Sequence, residues 1–359
     1  MASETVQRVG KVLAEAVRLK ASDVHFRVGH PPMIRMTGDL TPVDLNPFTR
    51  EEMHEIAERI TPPLLREEAK QEDQIDFSVE WQGASRFRVH RFKSFGEPAL
   101  VMRIIPLDIP DFASLRLPPA VKKIADLERG LVLVTGATGQ GKSTTIASVL
   151  QFIADTQNRH IVTIEDPVEF IIKPGKSLLS QREVGNDVSS FDSGLWAALR
   201  EDPDIVFIGE IRDLNTVRVA LLAAEKGHLI FSTIHTVDVT STIEHIISLF
   251  PQLEQQAART RLASSLQVVL SQRLLPMKGL KQRVLATEVM LRAGGIQEYI
   301  RKSEGKRSLL EKIARGNSEG MHTLDQDLRK LYESNLVELD IARAAAHSPN
   351  DFMRSLQVM

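Results

Sequence analysis

The stretch GLVLVTGATGQGKSTT, Gly130 to Thr145, decides the fold. It opens as an apolar strand, passes through a glycine-rich turn and ends in a helix-forming run. Gly136 and Gly141, followed by Lys142 and Ser143, have the spacing of a phosphate-binding loop. Glycines there let backbone N–H groups face a phosphate with no Cβ in the way. Lys142 can bridge the β- and γ-phosphates, and Ser143 can offer its hydroxyl to Mg²⁺. The helix opening at Lys142 adds the positive end of its dipole. A strand before and a helix after the turn separate this pattern from an ordinary tight turn. Thr138, Gly139, Gln140, Gly141, Lys142, Ser143 and Thr144 are therefore the candidates to hold a nucleotide.

Beyond this loop, apolar strands alternate with helical patterns: KSTTIASVLQFIADT, HIVTIE, SGLWAALRE, DIVFIGE, LNTVRVALLAAEK and HLIFSTIH. The alternation predicts a parallel α/β sheet with helices on both faces. Ligands of such sheets bind outside the carboxyl ends of the strands. HIVTIE closes on Glu165, DIVFIGE on Glu210 and HLIFSTIH on His235, so two carboxylates and a histidine are expected beside the loop. Phosphoryl transfer needs a metal-holding acid and a group that acts on the attacking water. Glu210 is the candidate for Mg²⁺, directly or through water, and Glu165 for the water; the alternative for either is a solvated strand end. His235 is placed to contact a γ-phosphate. His228, just after Gly227, reads equally well as a capping or packing histidine. The helix before His228 is readable, with Asp213 as N-cap and Leu214, Val217, Leu221 and Ala224 on one face.

Upstream, Val6, Val9, Leu13 and Val17 recur at helical spacing. Two strands joined at His30-Pro31-Pro32, a turn at Gly38-Asp39, a helix over Arg50–Arg59, and strands QIDFSVEW and SRFRVHRF flanking a turn at Gln82-Gly83 complete a small α+β module. The segment PLDIPDFASLRLPP carries Pro106, Pro110, Pro118 and Pro119, which block regular ladders, and reads as a linker. From Gly294 the chain turns charged and helical. The expected organisation is therefore 1–106, a linker at 107–118, an α/β domain at 119–293 and a helical extension at 294–359. In the small module Arg86, Arg88, Arg91 and Arg103 form a cluster, with Arg86 and Arg88 on one strand face. A solvated basic face and a set of arginine fingers reaching a nucleotide are both open readings.

The 359-residue chain has 45 Lys plus Arg against 47 Asp plus Glu, a net charge of -2, so it lacks the basic excess of a nucleic-acid protein. No basic tract interleaved with aromatics is present either, which disfavours a nucleic-acid translocase. With no cysteine, disulfides, cysteine-ligated zinc and thiol catalysis are excluded, and the chain suits a reducing cytoplasm. Its charged N-terminus and lack of an apolar run of ~18 residues leave any membrane role to partners.

Taken in order, ASDVHF, PPMIRMTGDL, RFRV, RIIP, GATGQGKSTT, TIEDPVEF, QREVG, ALREDPDIVFIGEIRD and AAEKGHLIFSTIHT resemble the type IV pilus retraction ATPases, the PilT/PilU family within the bacterial type II/IV secretion ATPases. The resemblance covers nearly the whole chain. It implies an α/β fold with a RecA-like P-loop ATPase domain, a smaller PAS-like α+β N-terminal domain joined flexibly to it, and a helical C-terminal extension. It further implies ATP and Mg²⁺ as cofactors, a homohexameric ring, and an inner-membrane pilus platform protein as partner, reached from the cytoplasm. By matching motif, Gly136 to Ser143 are the Walker A loop, Glu165 the catalytic glutamate, Glu210 the Walker B acid, and His228 and His235 the His box. Arg86, Arg88 and Arg103 fall in segments that supply phosphate-contacting arginines in the family. Absence of a tetracysteine module resembles the retraction branch rather than the extension branch. Two features depart from it: the segment Ala293–Lys302, where Gly295, Ile296 and Gln297 replace an AIRNLI-like pattern, and the tail HSPNDF, which resembles the accessory PilU branch. They set an autonomous motor against an accessory ring subunit that works beside a companion retraction ATPase.

Overall fold

The computed structural model describes residues 3–36, 38–81, 84–105, 108–302 and 305–357; the expected turn at Gln82-Gly83 and the boundary at 106/107 lie outside them. The chain divides into two compact units. One comprises Met1–Asp108 with Ile164–Ile171 and Gln181–Gly194, the other Ile109–Thr163 with Ile172–Ser180 and Leu195–Met359.

In the first unit, α1 (Glu4–Arg18) starts where the Ser3 side chain accepts the Val6 N–H, and it buries Val9, Val12, Leu13 and Ala16 at helical spacing. Three short strands follow, β1 (Asp23–Phe26), β2 (Met33–Met36) and β3 (Asp39–Pro42). Helix α2 (Arg50–Ile60) opens on a capping box between Thr49 and Glu52, and α3 (Glu68–Gln71) is a single turn. Strands β4 (Gln74–Trp81), β5 (Ser85–Ser94) and β6 (Glu97–Ile104) complete a six-stranded sheet in the order β3-β2-β1-β6-β5-β4. All its neighbours are antiparallel. Register sorts its faces. Ile34, Val24, Met102, Val89 and Phe77 lie in one cross-strand row and join the core with the apolar stripes of α1 and α2. One residue along, Arg35, Asp23, Arg103, Arg88 and Ser78 form the row on the opposite face.

From residue 109 the expected linker has no regular element, yet Ile109, Phe112 and Leu117 pack onto the core of the second unit. Then come α4 (Pro119–Ile124), β7 (Gly130–Thr135), α5 (Lys142–Thr156), β8 (His160–Glu165) and β9 (Leu178–Glu183). Next are α6 (Phe191–Ala198), β10 (Ile205–Ile208), α7 (Leu214–Glu225), β11 (Leu229–Ile234), α8 (Val239–Ser248) and α9 (Gln255–Ser265). Strands β12 (Leu266–Pro276) and β13 (Arg283–Leu291) precede the terminal helices α10 (Gly294–Lys302), α11 (Lys306–Arg315), α12 (Leu324–Glu333), α13 (Leu339–Ala345) and α14 (Pro349–Gln357).

The seven-stranded sheet has the order β13-β12-β7-β11-β10-β8-β9. β10, β11, β7 and β12 are parallel neighbours, buried on both faces as a βαβ-type sheet requires. The β12–β13 antiparallel pair was not foreseen: its run LQVVLSQRLLP is apolar without a helical or strict two-residue period, so its role as a strand was invisible locally.

The terminal helices are anchored on a buried carboxylate. Glu288 of β13 accepts N–H bonds from Val239, which opens α8, and from Leu324, which opens α12, and it meets His347 Nε2 at 2.7 Å. His347 belongs to the HSPNDF tail, and its own N–H donates to Asp325. Burial acts to lower the His347 pKa, but the Glu288 hydrogen bond and the charges of Glu288, Asp325 and Asp238 prevail and raise it.

Candidate functional site

The Gly130–Thr145 stretch folds as expected, from β7 through the loop into α5. Gly139 and Gly141 take left-handed φ of 78° and 83°, and Gly136 has φ of 147°. A Cβ on Gly136 would lie 2.6 Å from the Gln272 carbonyl oxygen, so only glycine fits between β7 and β12 there. A Cβ on Gly139 would meet nothing within 4 Å, while its carbonyl oxygen accepts from Arg283 at 3.4 Å. Unlike α2, α7, α8 and α12, α5 has no side-chain cap on its first turn. Gly141 at the N-cap has no side chain to bond the leading N–H groups, which suits a helix end that receives an anion.

Lys142 is buried and donates to the carbonyl oxygens of Gly136 (2.8 Å) and Ala137 (3.1 Å). Its Nζ also lies 3.3 Å from His235 Nδ1, and Thr138 Oγ1 lies 3.4 Å from the same nitrogen. His235 Nε2 is in turn 3.0 Å from Glu210 Oε2. An ammonium has no lone pair, so Nδ1 is the acceptor and the proton sits on Nε2, donated to Glu210. Glu210 is further held by an ion pair with Arg212. The structure therefore joins Lys142, His235 and Glu210 in one chain of polar contacts. Gln140 is turned away, its side-chain oxygen accepting the Leu274 N–H. Ser143 and Thr144 lie in the first turn of α5.

His228 is not brought to this place. It precedes β11, with Nδ1 2.8 Å from the Pro203 carbonyl oxygen, at the amino end where Leu229 registers with Gly130. Glu210 and His235 follow the opposite end, six strand residues or roughly 20 Å away. The packing alternative is the one this geometry matches.

In the first unit Glu165 closes β8 and is buried; Gln181 of β9 donates to its Oε1 at 3.2 Å. Arg86, Arg88 and Arg103 each have a carboxylate partner: Glu183 at 2.8 Å, Glu169 at 3.8 Å and Asp23 at 2.9 Å respectively. Side-chain exposures of 21%, 40% and 67% rank their freedom to leave those partners for a ligand. Arg86 is the most tied. Burial acts to raise the Asp23 carboxyl pKa, but hydrogen bonds from Ser22 and Arg103 and nearby positive charge hold it below the usual range.

Two residues went without a role in the sequence. Gln272, a buried amide within an apolar strand, donates to Thr145 at 2.7 Å and so braces the first turn of α5 against β12. Glu183 of the QREVG segment is the buried partner of Arg86. In Gln272 the signal was a polar residue inside an apolar run; for Glu183 nothing local marks it.

Among the described residues no group of three or more His, Cys, Asp or Glu is placed to cage a metal. A Mg²⁺ ion keeps several waters and binds through one or two protein oxygens together with substrate phosphates, so the Ser143 hydroxyl and Glu210 fit its needs. No described helix is long and apolar enough to cross a membrane.

The sequence model of the type II/IV secretion system protein family matches residues 2–356. The type IV pilus retraction ATPase PilT of Pseudomonas aeruginosa is 40% identical over 344 residues, 96% of this chain and 99% of that protein. The type IV pilus ATPase PilU of the same organism is 34% identical over 341 residues, covering 95% and 89%. The crystal structure of the pilus retraction motor PilT with bound ADP superposes with a TM-score of 0.87 at 41% identity, over 96% of this chain and 99% of that one. With the match running through both units and through the phosphate loop, the chain belongs to the type II/IV secretion system protein family and is of its pilus-retraction ATPase type.

Proposed function

We propose that this chain is the ATP-hydrolysing subunit of a homohexameric motor that drives type IV pilus retraction by pulling on an inner-membrane platform protein. The observation that carries the reading is the contact chain from Lys142 through His235 to Glu210 beside a glycine-shaped loop. Lys142 now donates to two loop carbonyls and to His235, and the β- and γ-phosphates of ATP are stronger acceptors. Ser143 and Glu210 would hold Mg²⁺, which when bound supplies positive charge to the phosphate oxygens. Glu165 takes the proton of the attacking water. The water oxygen forms a bond to the γ-phosphorus as the bond to the β,γ-bridging oxygen breaks, releasing ADP and phosphate. Arg88 and Arg103, the more exposed of the arginines, are the ones assigned to phosphate; Arg86 and His228 are given scaffold roles.

The accessory reading has less support. Identity to PilT exceeds that to PilU, and the departing residue Gln297 donates to the Ala263 carbonyl at 3.1 Å, a packing role between α10 and α9. A companion ATPase remains an expected partner rather than a prerequisite.

The test uses the full chain. Glu165→Gln is expected to bind ATP and lose turnover, and the unaltered chain to restore pilus retraction in a piliated host lacking its retraction ATPase. Full hydrolysis by Glu165→Gln overturns the assignment of the base. Retraction restored only beside a second motor overturns the autonomous reading.

A further inference from the structure

Glu183 is a buried carboxylate of the first unit solvated by protein groups. Its side chain is 1% exposed. Oε1 accepts from the Ser78 N–H at 3.0 Å and from Asn186 Nδ2 at 2.9 Å. Oε2 accepts from Ser78 Oγ at 2.5 Å, Arg86 Nη2 at 2.8 Å and the Val168 N–H at 3.1 Å. Burial acts to raise its pKa, but the donors and the Arg86 charge outweigh it and keep the carboxyl below the usual range. A buried anion with five donors has one geometry, because losing any donor leaves charge uncompensated.

Two residues earlier on the same face of β9, Gln181 donates to Glu165 Oε1 at 3.2 Å and to the Phe170 carbonyl at 2.9 Å. Gln181 and Glu183 thus grip the segment 165–170 at its carboxylate, at the Val168 N–H and at the Phe170 carbonyl. Glu183 in turn ties that segment to Ser78 of β4 and Arg86 of β5.

We infer that Glu183, with Gln181, is a positioning residue for hydrolysis, fixing the Glu165 carboxylate by clamping the backbone three residues beyond it. The inference rests on the reading of Glu165 as the group that takes the water's proton. The side chain touches no reacting atom. Its contribution is geometric, and misplacing a reacting group by about 1 Å costs on the order of 100-fold in rate.

The experiment compares Glu183→Gln, Gln181→Met and Glu165→Gln, alone and with each of the first two combined with the third, as purified full-length assemblies. Turnover is read beside the affinity for a fluorescent ATP analogue and beside thermal stability. Glu183→Gln is expected to lower kcat at least about tenfold and Gln181→Met about threefold or more, with analogue affinity held within about threefold. In the Glu165→Gln background both should add less than about a twofold further loss, because a group acting through Glu165 has nothing left to position. Full additivity there, or unchanged kcat in both single variants, overturns the inference. If Glu183→Gln does not fold, Gln181→Met decides alone, since it leaves the five-donor shell in place. If Glu165→Gln itself turns over normally, the underlying reading has failed. If it is inactive while both positioning variants keep the original kcat, only this inference has failed.

Discussion

His347 and Glu288 meet as a buried pair, Nε2 to Oε2 at 2.7 Å across 59 residues of sequence. Asp238 lies 3.8 Å from the other ring nitrogen, and Asp325 accepts the His347 N–H. The histidine pKa is raised in the fold, so the folded state binds the proton more tightly than the unfolded chain. That stabilisation is fully present below the unfolded value of about 6.5 and is lost as pH rises through the raised folded value. His322, buried beside Thr287, has the opposite sign: burial first of all lowers its pKa, so its penalty grows as pH falls below about 6.5. Thermal unfolding of His347→Gln should fall below that of the unaltered chain by about 1–2 kcal/mol near pH 6, the gap narrowing toward pH 9. A gap independent of pH would show that only packing is lost.

The arginines should separate by burial. Removing Arg86 strands the Glu183 carboxylate in a shell it cannot leave, and Arg86→Ala is expected to destabilise the protein by about 3 kcal/mol. Arg103 is mostly exposed, and its pair with Asp23 is screened by solvent; Arg103→Ala should cost no more than about 1 kcal/mol. Its effect belongs in kcat. Denaturant melts run beside ATPase assays check both, and equal destabilisation by the two variants would contradict the ranking.

This contrast also marks how much was legible in the sequence. The phosphate loop was read whole because its chemistry is local: Gly136, Gly141, Lys142 and Ser143 lie within eight consecutive residues, and the strand and helix that position them adjoin it. Strand ends put Glu210 and His235 at one edge of the sheet, since parallel neighbours share their carboxyl edge. The same reasoning has no means of finding Glu183, whose Ser78 partner is 105 residues away, or Glu288, whose shell is drawn from α8, α12 and His347. Charged residues in a sequence look exposed by default, and a buried one is identified only by donors that the fold assembles. His228 was left open between two readings for a related reason. It flanks β11 as His235 does, but at the other end of the strand, beside the Pro203 carbonyl oxygen, and a local reading does not tell the two ends apart.

The loop glycines should differ sharply. Gly136→Ala places a Cβ 2.6 Å from the Gln272 carbonyl oxygen, a backbone atom that can move only with β12. It should cost about 1–3 kcal/mol from overpacking and abolish nucleotide binding. Gly139→Ala meets no neighbour within 4 Å, so only its φ of 78° is penalised, at about 1–2 kcal/mol. Its fold should survive while ATP affinity drops. Calorimetric titration with ATP and a thermal melt for each variant test the distinction; tight ATP binding by Gly136→Ala would mean that β12 yields where the geometry says it cannot.

His235 carries a prediction about protonation rather than stability. With Lys142 Nζ 3.3 Å from Nδ1 and Glu210 Oε2 3.0 Å from Nε2, Nδ1 accepts from Lys142 and Nε2 donates to Glu210. When ATP draws Lys142 toward phosphate, Nδ1 loses that donor and its lone pair turns to whatever donor the γ-phosphate region offers. The ring nitrogen signals of ¹⁵N-labelled His235 should therefore show an Nε2–H tautomer without nucleotide and shift at Nδ1 when a non-hydrolysable ATP analogue is added, with ADP producing a smaller change. His235→Ala breaks the link between Lys142 and Glu210 while leaving the loop backbone intact. It should lower kcat by about 10- to 100-fold, with ATP affinity altered less than about threefold. An equal loss in affinity and turnover would place His235 in ground-state binding, and an unshifted Nδ1 signal would show that Lys142 stays on the histidine when the phosphates arrive.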